Sequence, residues 1–129
     1  MLIYNTTYQT GIDDARNFVI WLSESYIPEV EKTGILQNPR LTHILSHKEQ
    51  DSECFSLQWE VEDTAALHRW HTQQGMHLNE EMMKIFKDKV VGFPTLMEVI
   101  KSAGKRENHS GYRSWDNHNG VWPAESSRY

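Results

Sequence analysis

The period of apolar and polar positions changes several times along the chain, and each change marks an element. Residues 2–9, LIYNTTYQ, are β-branched and aromatic and run into Thr10-Gly11, a turn signal, which predicts a first strand. From Ile12 onward Ala15, Phe18, Val19, Leu22, Tyr26 and Val30 recur at three-and-four spacing, the mark of an amphipathic helix of about six turns. Asp13 and Asp14 stand near its positive end and Gly34 is placed to stop it. Pro28 lies inside, so a kink is expected near residues 24–27. Leu41–His47 and Cys54–Val61 read as two strands joined by the polar link KEQDS. In the second, Phe55, Leu57, Trp59 and Val61 alternate with Cys54, Ser56, Gln58 and Glu60, giving one apolar and one polar face. Asp63-Thr64 offers an N-cap, and the run from Ala65 to about Val90 carries Leu67, Trp70, His71, Leu78, Met82, Ile85 and Phe86 at helical spacing. Gln74-Gly75 interrupts it, which predicts two helical pieces hinged at Gly75. Phe93–Ile100 reads as a last strand, with Pro94 tolerable near its start or at a sheet edge.

The order β-α-β-β-α-β, with hairpin-linked central strands and two crossovers, specifies an α+β protein of the ferredoxin-like kind: a four-stranded antiparallel sheet with two helices on one face. Two helices cover one face only, yet Leu2, Ile3, Ile44, Leu45, Leu96, Met97, Val99 and Ile100 fall on both parities of their strands. The second face therefore needs a cover, either a second copy across a two-fold axis or the chain's own C-terminal segment.

Composition narrows the function classes. A chain of 129 residues suits one domain of ordinary size. The strand and helix periods end near residue 101, which sets a body over 1–101 apart from a tail over 102–129 rich in Gly, Ser, Asn and charge. The tail keeps Tyr112, Trp115, Trp122 and Tyr129, aromatic residues that are scarce in unstructured segments, so docking on the body or a partner is one expectation and a loose extension the other. Thirteen Lys and Arg against eighteen Asp and Glu give a net charge of −5, and the acidity resides in the body, with nine basic against fifteen acidic residues. That balance argues against nucleic acid as a partner, since such a surface needs a basic stripe. No apolar run is long enough to span a bilayer, the opening MLIYNTTYQT lacks a basic and apolar leader, and one cysteine precludes an internal disulfide, so the expected setting is the cytoplasm.

Candidate chemistry is sparse. His68 and His71, three apart on the second helix, could share a metal but lack a third ligand, and His43 and His47 on one strand would stand about 13 Å apart at 3.3 Å per residue; no metal site is expected. Cys54 has Glu53 and Phe55 as chain neighbours, neither a cation that would favour a thiolate, so a structural role is expected of it. Glu60, Glu62 and Asp63 form no isolated acid–base pair, and no phosphate loop or serine elbow occurs. Gln58 and Glu60 on the polar strand face, with His71 on the helix, remain as candidate ligand-binding residues.

The strand that opens M-x-I-Y-N-x-T-Y, the segment WLSESYIPEVEKTG from Trp21 to Gly34, and LHRWHTQQGMHLNEEMMKIFKDKVVGFPTLMEVI from Leu67 to Ile100 resemble a small uncharacterised bacterial family within the dimeric α+β barrel branch of the ferredoxin-like fold. The resemblance covers residues 1–101 and implies a homodimer in which the sheets of two copies face each other. The broader superfamily includes cofactor-free monooxygenases and haem-degrading enzymes that use an Asn on the first strand with a Trp and a His on the second helix. Asn5, Trp70 and His77 stand in roughly those places, though the Trp-to-His spacing is shorter than in the haem degraders. The expectation is thus a homodimer binding a small ligand or a protein partner with no cofactor. A cofactor-free or haem-dependent monooxygenase using Asn5, Trp70 and His77 is the alternative.

Overall fold

The structure is a computed structural model and describes residues 1–103. Strand β1 (Leu2–Gly11) pairs antiparallel with both β3 (Ser52–Val61) and β4 (Val90–Glu98), and β2 (Gln37–His43) closes the other edge against β3, giving the order β2-β3-β1-β4. With its two helical crossovers this is the ferredoxin-like α+β fold expected from the alternating elements. The chain divides into a unit Met1–Glu98 and a second from Val99 onward; the expected docking of the tail aromatics falls outside the described residues.

Direct pairing fixes which side chains share a face. Leu2, Tyr4, Thr6 and Tyr8 lie opposite Val61, Trp59, Leu57 and Phe55, and these eight point toward the helices. The core forms there, with Trp59, Phe18, Leu22, Leu36, Leu57 and Val30 fully buried. Phe18 meets Tyr8 and Phe86 edge-on, with ring centroids at 4.9 and 5.3 Å, so one aromatic side chain joins sheet, first helix and second helix. The Tyr26 hydroxyl bonds that of Tyr8 beneath the sheet, and burial pushes the Tyr8 phenol up to about 12.

Each crossover is one continuous helix carrying a wide turn. The first comprises α1 (Ala15–Trp21) and α2 (Ile27–Thr33) on either side of a π-helical turn, Leu22–Tyr26. Pro28 has no N–H to give to the carbonyl four residues earlier, and its ring would press on that carbonyl. The Ile27 N–H instead bonds the Leu22 carbonyl five residues back, and the expected kink takes the form of this widened turn. Gly34 ends the helix at φ 71°, a left-handed position suited to glycine.

The second crossover, α3 (Thr64–Trp70) and α4 (Met76–Phe86), begins where the Asp63 carboxylate accepts the Ala66 N–H at 2.8 Å. A hinge at Gly75 does not form. Residues His71–Gly75 make a second π-turn, the Met76 N–H bonds the His71 carbonyl, and the helix runs through. Gln74 on that turn ties the elements together: its Oε1 accepts the Trp70 indole N–H at 2.7 Å and its Nε2 donates to the Glu29 carbonyl of α2 at 3.0 Å.

Two strands begin earlier than their apolar residues suggest. The β2 ladder starts at the polar Gln37 and ends at His43, with a register shift between Gln37 and Arg40 where Asn38 adopts φ 53°. His47 is therefore in the β2–β3 connection and not on a strand face with His43. Likewise β4 starts at Val90, three residues before Phe93, and Pro94 is accommodated because β4 is an edge strand.

Candidate functional site

The face of the sheet turned away from the helices carries the unassigned chemistry. Its rows follow from the register: Cys54, Gln9 and Val91; then Thr42, Ser56, Thr7 and Phe93; then Arg40, Gln58, Asn5 and Thr95; then Glu60, Ile3 and Met97. Alternation puts them there. Asn5 stands between Tyr4 and Thr6, and because those two point to the helices it points away.

At the centre of this face Asn5 is 8% exposed, a buried amide in the middle of a strand and not at a turn. Burying an amide is costly unless it is hydrogen-bonded, and Asn5 has partners: its Oδ1 accepts from the Ser56 hydroxyl and its Nδ2 donates to Thr7 Oγ1 at 3.2 Å. On the β2 side Thr42 Oγ1 donates to the Ser56 carbonyl at 3.4 Å, and Asn38 Nδ2 donates to Glu60 Oε1 at 2.8 Å. The result is a polar strip with the neutral, hydrogen-bonded Asn5, Thr7, Ser56 and Thr42 at its centre and the charged Arg40 and Glu60 toward β2. It is flanked on the β4 side by Val91, Phe93 and Met97, large apolar side chains left exposed, with Phe93 at 55%.

The residues singled out from the sequence separate into three places. Asn5 and Gln58 are directly paired on the open face and Glu60 is one row further on; Glu60 also lines a cavity of about 490 Å3 with Gly34, Gln37, Ala66 and Arg69. Trp70 is on the opposite side of the sheet, buried against Tyr4 with ring centroids 6.1 Å apart. His71 and His77 are on exposed helix surface, where His77 Nε2 pairs with Glu81 at 3.1 Å and its side chain is 70% exposed. Asn5, Trp70 and His77 therefore do not converge within one copy of the chain. They do not fit a porphyrin, because the amide, the indole and the imidazole face three different environments. Among the described residues no three His, Cys, Asp or Glu side chains are grouped to hold a metal ion, and no helix is long and apolar enough to cross a membrane.

A family model described as a domain of unknown function, DUF4286, matches residues 1–100. The chain belongs to that family. The curated proteins contain no match to it. Solved structures similar to this DUF4286 chain include a candidate antibiotic biosynthesis monooxygenase from Deinococcus radiodurans, 18% identical, covering 86% of this chain and 100% of that one at a TM-score of 0.56. An ethyl tert-butyl ether D (EthD) family protein from Bacillus halodurans is 14% identical over 78% of this chain and 100% of its own, at 0.56. A dimeric ferredoxin-like protein from an uncultured marine organism is 12% identical over 79% and 98%, also at 0.56. At these identities the likeness establishes the ferredoxin-like fold of the DUF4286 chain and nothing about its chemistry.

Proposed function

We propose that this DUF4286 chain is a homodimeric binding module in which two copies meet through the open faces of their sheets and hold a small, largely uncharged ligand against the strip formed by Asn5, Thr7, Ser56 and Gln58. The observation that carries this is the pairing, on a face that no other described element covers, of a buried amide hydrogen-bonded at both its oxygen and its nitrogen with three exposed apolar side chains, Val91, Phe93 and Met97. Contiguous exposed apolar surface rimmed by polar groups marks an interaction site, and a two-fold axis lets one patch cover its own copy. The similarity to a protein described as dimeric and ferredoxin-like supports the same arrangement. Neutral amides and hydroxyls in fixed orientation suit a ligand bearing hydroxyl or carbonyl groups on one edge and an apolar body on the other, because such sites orient a ligand with few polar contacts. A protein partner in place of the small ligand would use the same face.

Native mass spectrometry of the purified full chain tests both parts. The expected spectrum is a dimer carrying a small-molecule mass that is lost on denaturation, and Asn5→Leu gives a dimer without that mass. A wild-type monomer, or a wild-type dimer with no added mass, contradicts the reading.

A further inference from the structure

Along the first helix, Asp14, Asn17, Trp21 and Glu24 recur at steps of three and four, so their side chains share one stripe. The stripe lines a cavity of about 440 Å3, which Ile20 of the same helix and Ile85 and Phe86 of α4 complete. The cavity is acidic. No Lys or Arg lines it, and neither carboxylate is engaged by an ion pair or a hydrogen bond among the described residues. Asp14 holds the N-cap position of α1, where a carboxylate ordinarily accepts a backbone N–H, yet its side chain makes no such bond.

The cavity is also aromatic and apolar between its two carboxylates. Trp21 is fixed by Phe18, Tyr26 and Phe86, with ring centroids at 6.4, 5.5 and 5.9 Å, but is only half-buried. Ile20 and Ile85 beside it are 41% and 54% exposed. Anionic ends joined by an apolar, aromatic stretch are the complement of an elongated cation whose charges are separated by methylene groups.

We propose that this cavity binds a linear polyamine, lying along the first helix with a terminal ammonium group at each carboxylate. At about 1.5 Å per residue the stripe sets Asn17, Trp21 and Glu24 about 4.5, 10.5 and 15 Å along the axis from Asp14. In extended spermine, at about 1.2 Å per bond, the second, third and fourth nitrogens stand about 5, 11 and 16 Å from the first. The two series agree step for step. The terminal ammonium groups donate to Asp14 and Glu24 as charge-assisted hydrogen bonds, and the second nitrogen donates to the Asn17 amide oxygen. The third lies at the Trp21 indole, which attracts a cation through its ring face. The methylene groups between them cover Ile20 and Ile85. Spermidine is too short to reach both carboxylates, and putrescine is shorter still. The cavity belongs to the helix layer, so its occupancy does not depend on what covers the open sheet face.

Isothermal titration calorimetry of the full chain with spermine, spermidine and putrescine tests this, with far-UV circular dichroism as the check on folding. A chain of net charge −5 attracts any polycation, so Glu31→Gln, at an exposed α2 carboxylate outside the cavity lining, controls for charge alone. The expected result is one spermine per chain, with affinity falling from spermine to spermidine to putrescine. Each terminal contact is worth about tenfold, so Asp14→Asn and Glu24→Gln each weaken spermine to the wild-type affinity for spermidine, while Glu31→Gln stays within about twofold of wild type. Absence of saturable spermine binding overturns the assignment, as do equal affinities for spermine and putrescine. A loss in Glu31→Gln as large as that in Glu24→Gln overturns it too, because attraction to net charge would then account for the binding.

Discussion

Gly75 lies against the six-membered ring of Trp70: a Cβ at position 75 would stand 2.8 Å from the indole Cζ3 and 3.2 Å from His71 Nδ1. The glycine has φ −59°, so it is required by this close approach and not by backbone conformation. Alanine in a helix is worth about 1 kcal/mol over glycine, whereas forcing a methyl group against a rigid buried ring costs roughly 1 to 3 kcal/mol. Gly75→Ala is expected to lose stability on balance, with a shift in tryptophan emission, in urea unfolding. A gain of stability would mean the indole moves aside freely.

Trp70 and His77 sit on one helix and should respond in opposite ways. Trp70 is buried and anchored through Gln74 to the Glu29 carbonyl, so Trp70→Ala is expected to cost about 3 to 5 kcal/mol by lost transfer energy and cavity formation. His77 is exposed and its pairing with Glu81 is a surface contact, so His77→Ala should stay within about 0.5 kcal/mol. Denaturant titration of the two variants checks both, and a large loss at His77 would show an undetected structural role for α4.

The Tyr8–Tyr26 pair makes stability depend on alkaline pH. In the unfolded chain both phenols lose protons near pH 10, but in the folded protein burial holds the Tyr8 proton to about 12 and raises Tyr26 as well. The folded state therefore binds more protons between those values, and stability that is complete below pH 10 is lost as pH rises toward 12. The slope should approach about 1.4 kcal/mol per pH unit per tyrosine. Melting temperatures from pH 8 to 11.5 are expected to fall above pH 10, and to fall less steeply in Tyr8→Phe. Equal slopes in the two proteins would remove the pair as the cause.

Alternation made β3 and its two faces legible in the sequence, because Phe55, Leu57, Trp59 and Val61 all point one way and each neighbour is polar. The same alternation separates Asn5 from Tyr4, and so from Trp70, across the sheet; the signal that Asn5 and Trp70 do not share a cleft was present in the parity of β1. Other features had no local signal. The β2 ladder forms on backbone hydrogen bonds from Gln37 onward, while the apolar Ile44 and Leu45 that suggest a longer strand leave it. A π-turn and a break at Gly75 both place a glycine inside a helical pattern, and the difference is the Trp70 ring packed on it. His47 and Cys54 are seven residues apart and meet because the connection folds back over β3, a route that chain neighbours of Cys54 do not reveal.

The central claim is that the open face is where a second copy binds, and multi-angle light scattering on the full chain at about 10 μM tests it most directly. Phe93 is exposed at the centre of β4 and paired with Thr7 on that face, so Phe93→Asp places a charge inside the interface without touching the core beneath the helices. The account predicts twice the chain mass for wild type and the single chain mass for a folded Phe93→Asp. A wild-type monomer, or a Phe93→Asp dimer as stable as wild type, would contradict it.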